Sequence, residues 1–235
     1  MTSTPQQLRT IAGIPLGEVM DALRRTRPVF HSEADLQHAF ARALWEVAPD
    51  VRCRLEVPQR SPGRREHLDL LCLGPEGQTL IEFKYFTRSW AGTVPGLPDE
   101  EYQLRNQAAD DVARHKFVED IVRLEKFCNQ PHQDGLALLV TNFPGLWTAP
   151  KSGSRPTRDR QFRIHEGRTL TGTLLWAEGI YADNTRHLRG RYDLTWRPYS
   201  ELPDPGGTFR FLAVPVTTTG SRPVTAEAGS GQAGM

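Results

Sequence analysis

The sequence predicts an α/β fold with one core and a C-terminal β-rich extension. Three observations carry this prediction. Apolar side chains recur at helical spacing over residues 33–48, three strand-like segments follow between 52 and 86, and a long helix over 106–129 precedes a short apolar strand at 136–141. The order is therefore helix, three antiparallel strands, helix, strand, which forms an α/β sandwich of about 110 residues.

The helices are predicted from their caps and apolar stripes. A short helix around residues 16–25 is ended by Pro28. The next helix has Ser32 as its N-cap, with Asp35 three residues later in a near capping box. Its apolar face combines five side chains, namely Leu36, Phe40, Ala43, Leu44 and Val47.

Turn residues separate the three strands. Segments 52–57 and 67–73 flank a basic turn with Pro62-Gly63, and a tight turn at 74–77 leads into segment 79–86. The Gly- and Pro-rich stretch 89–101 predicts an excursion or a small hairpin. The chain then divides into an N-terminal arm (1–28), the core (29–142), a β-rich extension on the same core (143–216) and a disordered tail (217–235).

Composition limits the class of protein. Apolar residues make up 38% and charged residues 24%, so a packed core can form. There is no run of about 20 apolar residues, so we expect no membrane span. The polar N-terminus and three widely spaced cysteines without a CxxC pair indicate a cytoplasmic protein, neither secreted nor a zinc ribbon.

The charge is unevenly distributed. The net charge is +1, but residues 1–150 carry −3 and residues 151–197 carry +5. This asymmetry permits nucleic-acid binding but does not show it, and taken alone it favours a solvated basic surface.

A carboxylate interrupts the apolar segment 67–73. Burying Asp69 there costs several kcal/mol unless it is paired or bound to a metal. Thirteen residues later comes Glu82, which shares a strand face with Lys84, and the hairpin places Asp69 beside both. Adjacent carboxylates repel each other unless a cation lies between them, and oxygen ligands suit Mg²⁺ or Mn²⁺. Such a cation can activate water and stabilise a phosphoryl transition state, and a nearby lysine can orient that water.

Asp69, twelve intervening residues and then Glu82-Phe83-Lys84, in this order of elements, resemble the PD-(D/E)XK nuclease superfamily. The resemblance covers roughly residues 30–142, with Leu68 where the family has a proline. It implies a restriction-endonuclease-like core and a Mg²⁺- or Mn²⁺-dependent endonuclease that hydrolyses phosphodiester bonds. It further implies that Asp69, Glu82 and the backbone carbonyl of Phe83 hold the metal. The implied partner is nucleic acid, DNA rather than RNA, and a homodimer would suit an enzyme that cuts both strands.

Two further residues are candidates for the catalytic site. Glu33 lies with the apolar face of its helix, and in the superfamily an acidic residue on this helix often completes the metal site; the alternative is a first-turn acid stabilised by the helix dipole. Gln107 lies at the polar start of the long helix, where some members carry a glutamine. Its alternative is an exposed first turn.

Nucleic-acid contacts are predicted at His67, on the same strand face as Asp69, and at Arg64 and Arg65 in the basic turn. The alternatives are an ordinary sheet histidine and a solvated loop.

Two classes of alternative apply to the site itself. Its residues could form structural ion pairs, with Glu82 bridging to Lys84 and Asp69 meeting an arginine. The chain could also be a catalytically silent module on the same fold that binds nucleic acid, a nucleotide or a protein partner, or a scaffold whose β extension mediates assembly.

Overall fold

The computed structural model describes residues 10–61, 64–96, 98–107, 109–153 and 155–217, with the backbone alone at 60, 61, 64 and 65. The predicted tail therefore lies, from residue 218 on, outside the described residues. The helices are α1 (Leu16–Thr26), α2 (Glu33–Val47), α3 (Asp110–Phe127) and α4 (Pro144–Trp147). The strands are β1 (Thr10–Ile11), β2 (Ile14–Pro15), β3 (Arg52–Ser61), β4 (Arg64–Gly74), β5 (Gly77–Phe86), β6 (Trp90–Val94), β7 (Glu100–Leu104), β8 (Gln133–Thr141), β9 (Thr169–Leu174), β10 (Arg186–Asp193), β11 (Trp196–Glu201) and β12 (Thr208–Thr217).

The centre of the fold is a mixed six-stranded sheet in the order β11-β12-β8-β5-β4-β3. Strands β3, β4 and β5 form the predicted antiparallel meander, and β8 lies parallel to β5. Parallel neighbours need a crossover, which α3 supplies between β5 and β8. The α/β class and the order helix, three strands, helix, strand are thus confirmed.

One face of the sheet is covered by α1 and α2. Ser32 caps α2 as predicted, since its hydroxyl accepts from the Asp35 N–H at 3.2 Å. The α2 stripe then packs on β5, with the Phe40 and Phe83 rings edge to face at 5.1 Å. Residues 10–26, within the predicted arm, belong to this core, because α1 buries its apolar side chains there.

The opposite face is covered by α3 and the β9–β10 ribbon. The Glu125 carboxylate of α3 accepts from the backbone N–H groups of Arg189 and Gly190, at 2.9 and 2.7 Å, and from the Tyr192 hydroxyl at 2.7 Å. These bonds hold the register shift in β10 between Leu188 and Arg191.

A buried arginine attaches the start of the extension to α3. Arg114, 1% exposed, pairs with Asp159 and with Asp110, the latter at 2.8 Å, and donates to the Gly145 carbonyl at 3.0 Å. Strands β11 and β12 then widen the central sheet beyond β8. The predicted β-rich extension is therefore built partly into the sheet and partly onto α3.

The long helix begins later than the sequence predicts. It starts at Asp110, and Gln107 lies in the loop before it. The Gln107 N–H donates to the Thr87 carbonyl at 2.9 Å, which holds this loop against the chain just past the end of β5 before the helix begins. The predicted hairpin at 89–101 is present as the β6–β7 pair.

No helix among the described residues is long and apolar enough to cross a membrane.

Candidate metal and nucleic-acid site

The site forms where β4 and β5 separate. The two strands pair from Gly74/Gly77 to Leu70/Ile81, and pairing stops where Asp69 would face Glu82. Strand β4 continues along β3, and no strand of the described residues lies beside the backbone of residues 83–87 on that side. This stretch is called the open edge of β5 below. Backbone N–H groups at such an edge need other acceptors.

Side chains of three predicted site residues supply those acceptors. Asp69 Oδ2 accepts from the Phe83 N–H at 2.7 Å, and Glu33 Oε2 accepts from the Tyr85 N–H at 2.9 Å. Farther along, Gln107 Oε1 accepts from the N–H of residue 87 at 3.4 Å. Asp69, Glu33 and Gln107 thus lie in one row, as three side-chain caps on one unpaired strand edge.

Lys84 lies on the face of β5 that α3 covers. Its Nζ is 2.9 Å from Asp120 Oδ2 and 3.6 Å from Glu33 Oε1, and it donates to the Phe83 carbonyl at 2.8 Å. The ion-pair alternative placed Lys84 against Glu82; the ammonium pairs with Asp120 and Glu33 instead.

Glu82 is fully buried on the same face. Its Oε2 accepts from Arg123 Nη1 at 3.0 Å, and the same nitrogen lies 3.4 Å from Asp120 Oδ1. The second terminal nitrogen of Arg123, Nη2, donates to the His67 carbonyl. Among the described residues, Glu82 Oε1 has no hydrogen-bond partner although it is buried. One oxygen of this carboxylate is therefore free to bind a cation.

The electrostatics of the site favour added positive charge. Burial raises the pKa of Glu82 to about 9, helped by Asp69 and Asp120 and opposed by Arg123 and Lys84. Burial likewise raises the pKa of Asp120 to about 6, against the effect of Lys84.

Two other charged groups of the cluster, Glu33 and Lys84, follow the same balance. Burial raises the pKa of Glu33, although Lys84 opposes it. For Lys84 itself, burial lowers the pKa, but Asp120 and Glu33 outweigh burial and hold the pKa above its ordinary value. Four carboxylates (Glu33, Asp69, Glu82, Asp120) thus face two cations (Lys84, Arg123), which leaves a formal charge of −2 when all are ionised.

Asp120 and Arg123 complete the charged cluster, and the sequence analysis did not single them out. The predicted apolar face of α3 included Phe117 and Leu124, and Asp120 lies on that stripe, 3% exposed. A carboxylate within a buried helical stripe is the same signal that singled out Asp69 within a strand. Applied to the helix, it would have found Asp120.

The predicted nucleic-acid contacts have different outcomes. The His67 side chain is exposed, and its carbonyl oxygen takes part in the site through Arg123. The side chains of Arg64 and Arg65 lie outside the described residues.

A cleft of about 760 Å³ opens beside the site. It runs between α3, the open edge of β5 and the end of β7, and Glu33, Lys84 and Arg123 line it. Arg105 and Lys116 also line it; both are exposed, and neither has an ion pair within the described ranges. The cleft therefore presents free cations near the acidic cluster.

The donor set fits a hard divalent cation. Asp69, Glu82 with its unpartnered oxygen, and the Phe83 carbonyl are oxygen ligands of the kind that Mg²⁺ and Mn²⁺ prefer. Because Mg²⁺ usually keeps several waters, one or two carboxylates suffice to hold it. Over the described ranges, no three His, Cys, Asp or Glu side chains form a preassembled metal cluster.

Comparison of the chain with protein-family models, curated proteins and solved structures finds no match. The resemblance to the PD-(D/E)XK superfamily therefore stays a prediction from the motif and the order of elements.

Proposed function

We propose that the chain is a metal-dependent nuclease with a restriction-endonuclease-like core. The observation that carries the proposal is the buried Glu82 carboxylate with one unpartnered oxygen, next to Asp69 and on the same strand as Lys84. Burying such an oxygen without a partner is costly, and a bound cation would offset that cost.

The charge and shape around the site support the same proposal. A metal bound to Glu82 would release the proton that this buried carboxyl holds, and the −2 formal charge of the fully ionised cluster is what one divalent cation neutralises. Arg105 and Lys116 offer positive charge to a phosphate backbone in the adjoining cleft. DNA and RNA both fit this chemistry, with DNA as the first substrate to test, and a homodimer would suit cleavage of both strands.

Each residue has a definite role in this proposal. Asp69, Glu82 and the Phe83 carbonyl would hold Mg²⁺ or Mn²⁺, which when bound supplies an acidified water and stabilises negative charge on phosphate. The Lys84 ammonium donates a hydrogen bond to the Phe83 carbonyl and also pairs with Asp120. It can therefore turn from the carbonyl towards the scissile phosphate while it stays paired with Asp120. Glu33 holds Lys84 from the other side.

One observation favours the silent binding module. Without metal, Glu82 and Lys84 are both engaged in internal ion pairs, which hold the cluster together as a structural unit. In that case nucleic acid would bind in the cleft and dissociate without being cleaved.

The decisive experiment is a cleavage assay on single- and double-stranded DNA and RNA in Mg²⁺, Mn²⁺ or EDTA. Lys84→Ala is the test variant, and Lys126→Ala, an exposed lysine of α3 paired with Glu66, is its matched control. We expect cleavage that EDTA abolishes, a loss of at least ~100-fold in Lys84→Ala, and little change in Lys126→Ala. Equal rates in both variants would contradict the proposal. Binding without cleavage by the folded wild type in every metal would establish the silent module.

A further inference from the structure

Arg123 lies on the wall of the cleft, but its guanidinium is bonded to the buried acidic cluster. Its guanidinium contacts Glu82 Oε2, Asp120 Oδ1 and the His67 carbonyl, and it lies 5.5 Å from the Phe127 ring. Its side chain is 23% exposed and lines the cleft. The same guanidinium thus faces both the acidic cluster and the space proposed for substrate.

We propose that Arg123 is a displaceable counter-ion of the acidic cluster: it pairs with Asp120 and donates to Glu82 in the metal-free protein, and it contacts substrate phosphate once metal binds. This inference rests on the proposed function. The geometry supports the first half, because Arg123 binds one oxygen of Glu82 while the other has no partner. A divalent cation and a guanidinium this close repel each other, so both cannot keep the carboxylate equally well.

The second half follows from where Arg123 can go. Being partly exposed and on the cleft wall, the side chain can leave Glu82 without crossing the hydrophobic core. A guanidinium forms bidentate hydrogen bonds with phosphate as readily as with carboxylate. Metal binding would then free a phosphate ligand in the cleft, so metal and nucleic acid would strengthen each other's binding.

The first measurement is Mn²⁺ binding by calorimetry on EDTA-stripped protein without nucleic acid. We expect Arg123→Gln to bind Mn²⁺ at least ~10-fold more tightly than wild type, because a competing charge is gone. Lys116→Gln is the matched control: it removes a cation from the same helix and cleft, but one with no ion pair in the described part of the chain. We expect it to change Mn²⁺ affinity less than ~2-fold.

The second measurement is the affinity for a fluorescent oligonucleotide of the substrate class, in Ca²⁺ and in EDTA. For wild type we expect Ca²⁺ to tighten binding, and for Arg123→Gln we expect that tightening to shrink at least ~5-fold. Lys116→Gln should weaken binding by a similar factor in both conditions. Arg123→Lys keeps the charge but replaces the two terminal guanidinium nitrogens with a single ammonium nitrogen, so its Mn²⁺ affinity should fall between those of wild type and Arg123→Gln. Thermal unfolding of each variant checks the fold.

The outcomes separate this inference from the proposed function. Both proposals fail if neither wild type nor Arg123→Gln binds Mn²⁺. Both also fail if adding the Glu82→Gln substitution to either protein leaves its Mn²⁺ affinity unchanged. If wild type binds Mn²⁺ through Glu82 but Arg123→Gln does not tighten it, only the counter-ion role is overturned. Tighter Mn²⁺ binding with unchanged coupling to the oligonucleotide overturns the transfer to phosphate.

Discussion

Replacing Glu82 with glutamine should stabilise the metal-free protein, by an amount that grows with pH. Glu82 is 1% exposed, and burial raises its pKa to about 9 from an ordinary value of 4.5. Between these two values the folded chain keeps a proton that the unfolded chain has released. Wild-type stability therefore falls with rising pH, at up to ~1.4 kcal/mol per unit.

The size of the effect follows from the two pKa values. Glutamine does not titrate and can still accept a hydrogen bond from Arg123. The stability difference in favour of Glu82→Gln should therefore grow by about 2.5 kcal/mol between pH 5.5 and pH 7.5. Cleavage and Mn²⁺ binding should be lost in the same variant, so the carboxylate that serves the site weakens the metal-free fold.

Urea unfolding in EDTA at pH 5.5, 6.5 and 7.5 measures this difference directly. Glu46→Gln serves as the control, because Glu46 is exposed and pairs with Arg42 one helical turn away. It should change stability by less than about 0.5 kcal/mol at every pH. A stability difference for Glu82→Gln that does not vary with pH, or that has the opposite sign at pH 7.5, would refute the reasoning.

Three further expectations follow from the same contacts. Asp120→Asn removes the strongest partner of Lys84 and so lowers the pKa of that lysine. Cleavage should fall ~10–100-fold, and the alkaline limb of the pH–rate profile should move to lower pH. A profile that does not move would show that Asp120 does not position Lys84. Glu125→Gln turns a donor towards the donors around it, including Tyr192, and should lower the free energy of unfolding by about 1–3 kcal/mol while Mn²⁺ affinity stays constant; loss of Mn²⁺ binding would contradict this. Arg114→Met leaves the buried Asp159 carboxylate without its main partner, so the free energy of unfolding in urea should fall by about 3–5 kcal/mol. A fall below about 1 kcal/mol would show that the buried pair is dispensable.

Local signals explain why much of the fold could be predicted. The Ser32 cap and the stripe around Phe40 specify α2 within one segment of chain, and the turn at 74–77 specifies the hairpin of β4 and β5. The start of α3 could not be predicted in the same way. The loop before α3 is bonded to Thr87 through Gln107, and only the folded chain brings these two residues together.

The candidate site likewise has residues that local sequence signals place and residues that only the folded chain brings in. Asp69, Glu82 and Lys84 lie on two strands joined by a tight turn, so their proximity follows from the pairing rule. Asp120 and Arg123 reach them from α3, and which face of a helix meets which strand depends on the packing of the whole sheet. The sequence carried a signal for Asp120 as a buried acid, but nothing in it paired Arg123 with Glu82.

The open edge of β5 also determines which variants can test the chemistry. Asp69 and Glu33 satisfy the N–H groups of Phe83 and Tyr85, so a nuclease and a silent module would both need them. Loss of activity in variants of these two carboxylates is therefore compatible with a purely structural role. Glu82 has no such duty: its free oxygen faces no donor in the described residues, and its burial weakens the metal-free fold. Because Glu82 costs stability and satisfies no backbone group, it is the position where the proposed function and a purely structural role can be separated.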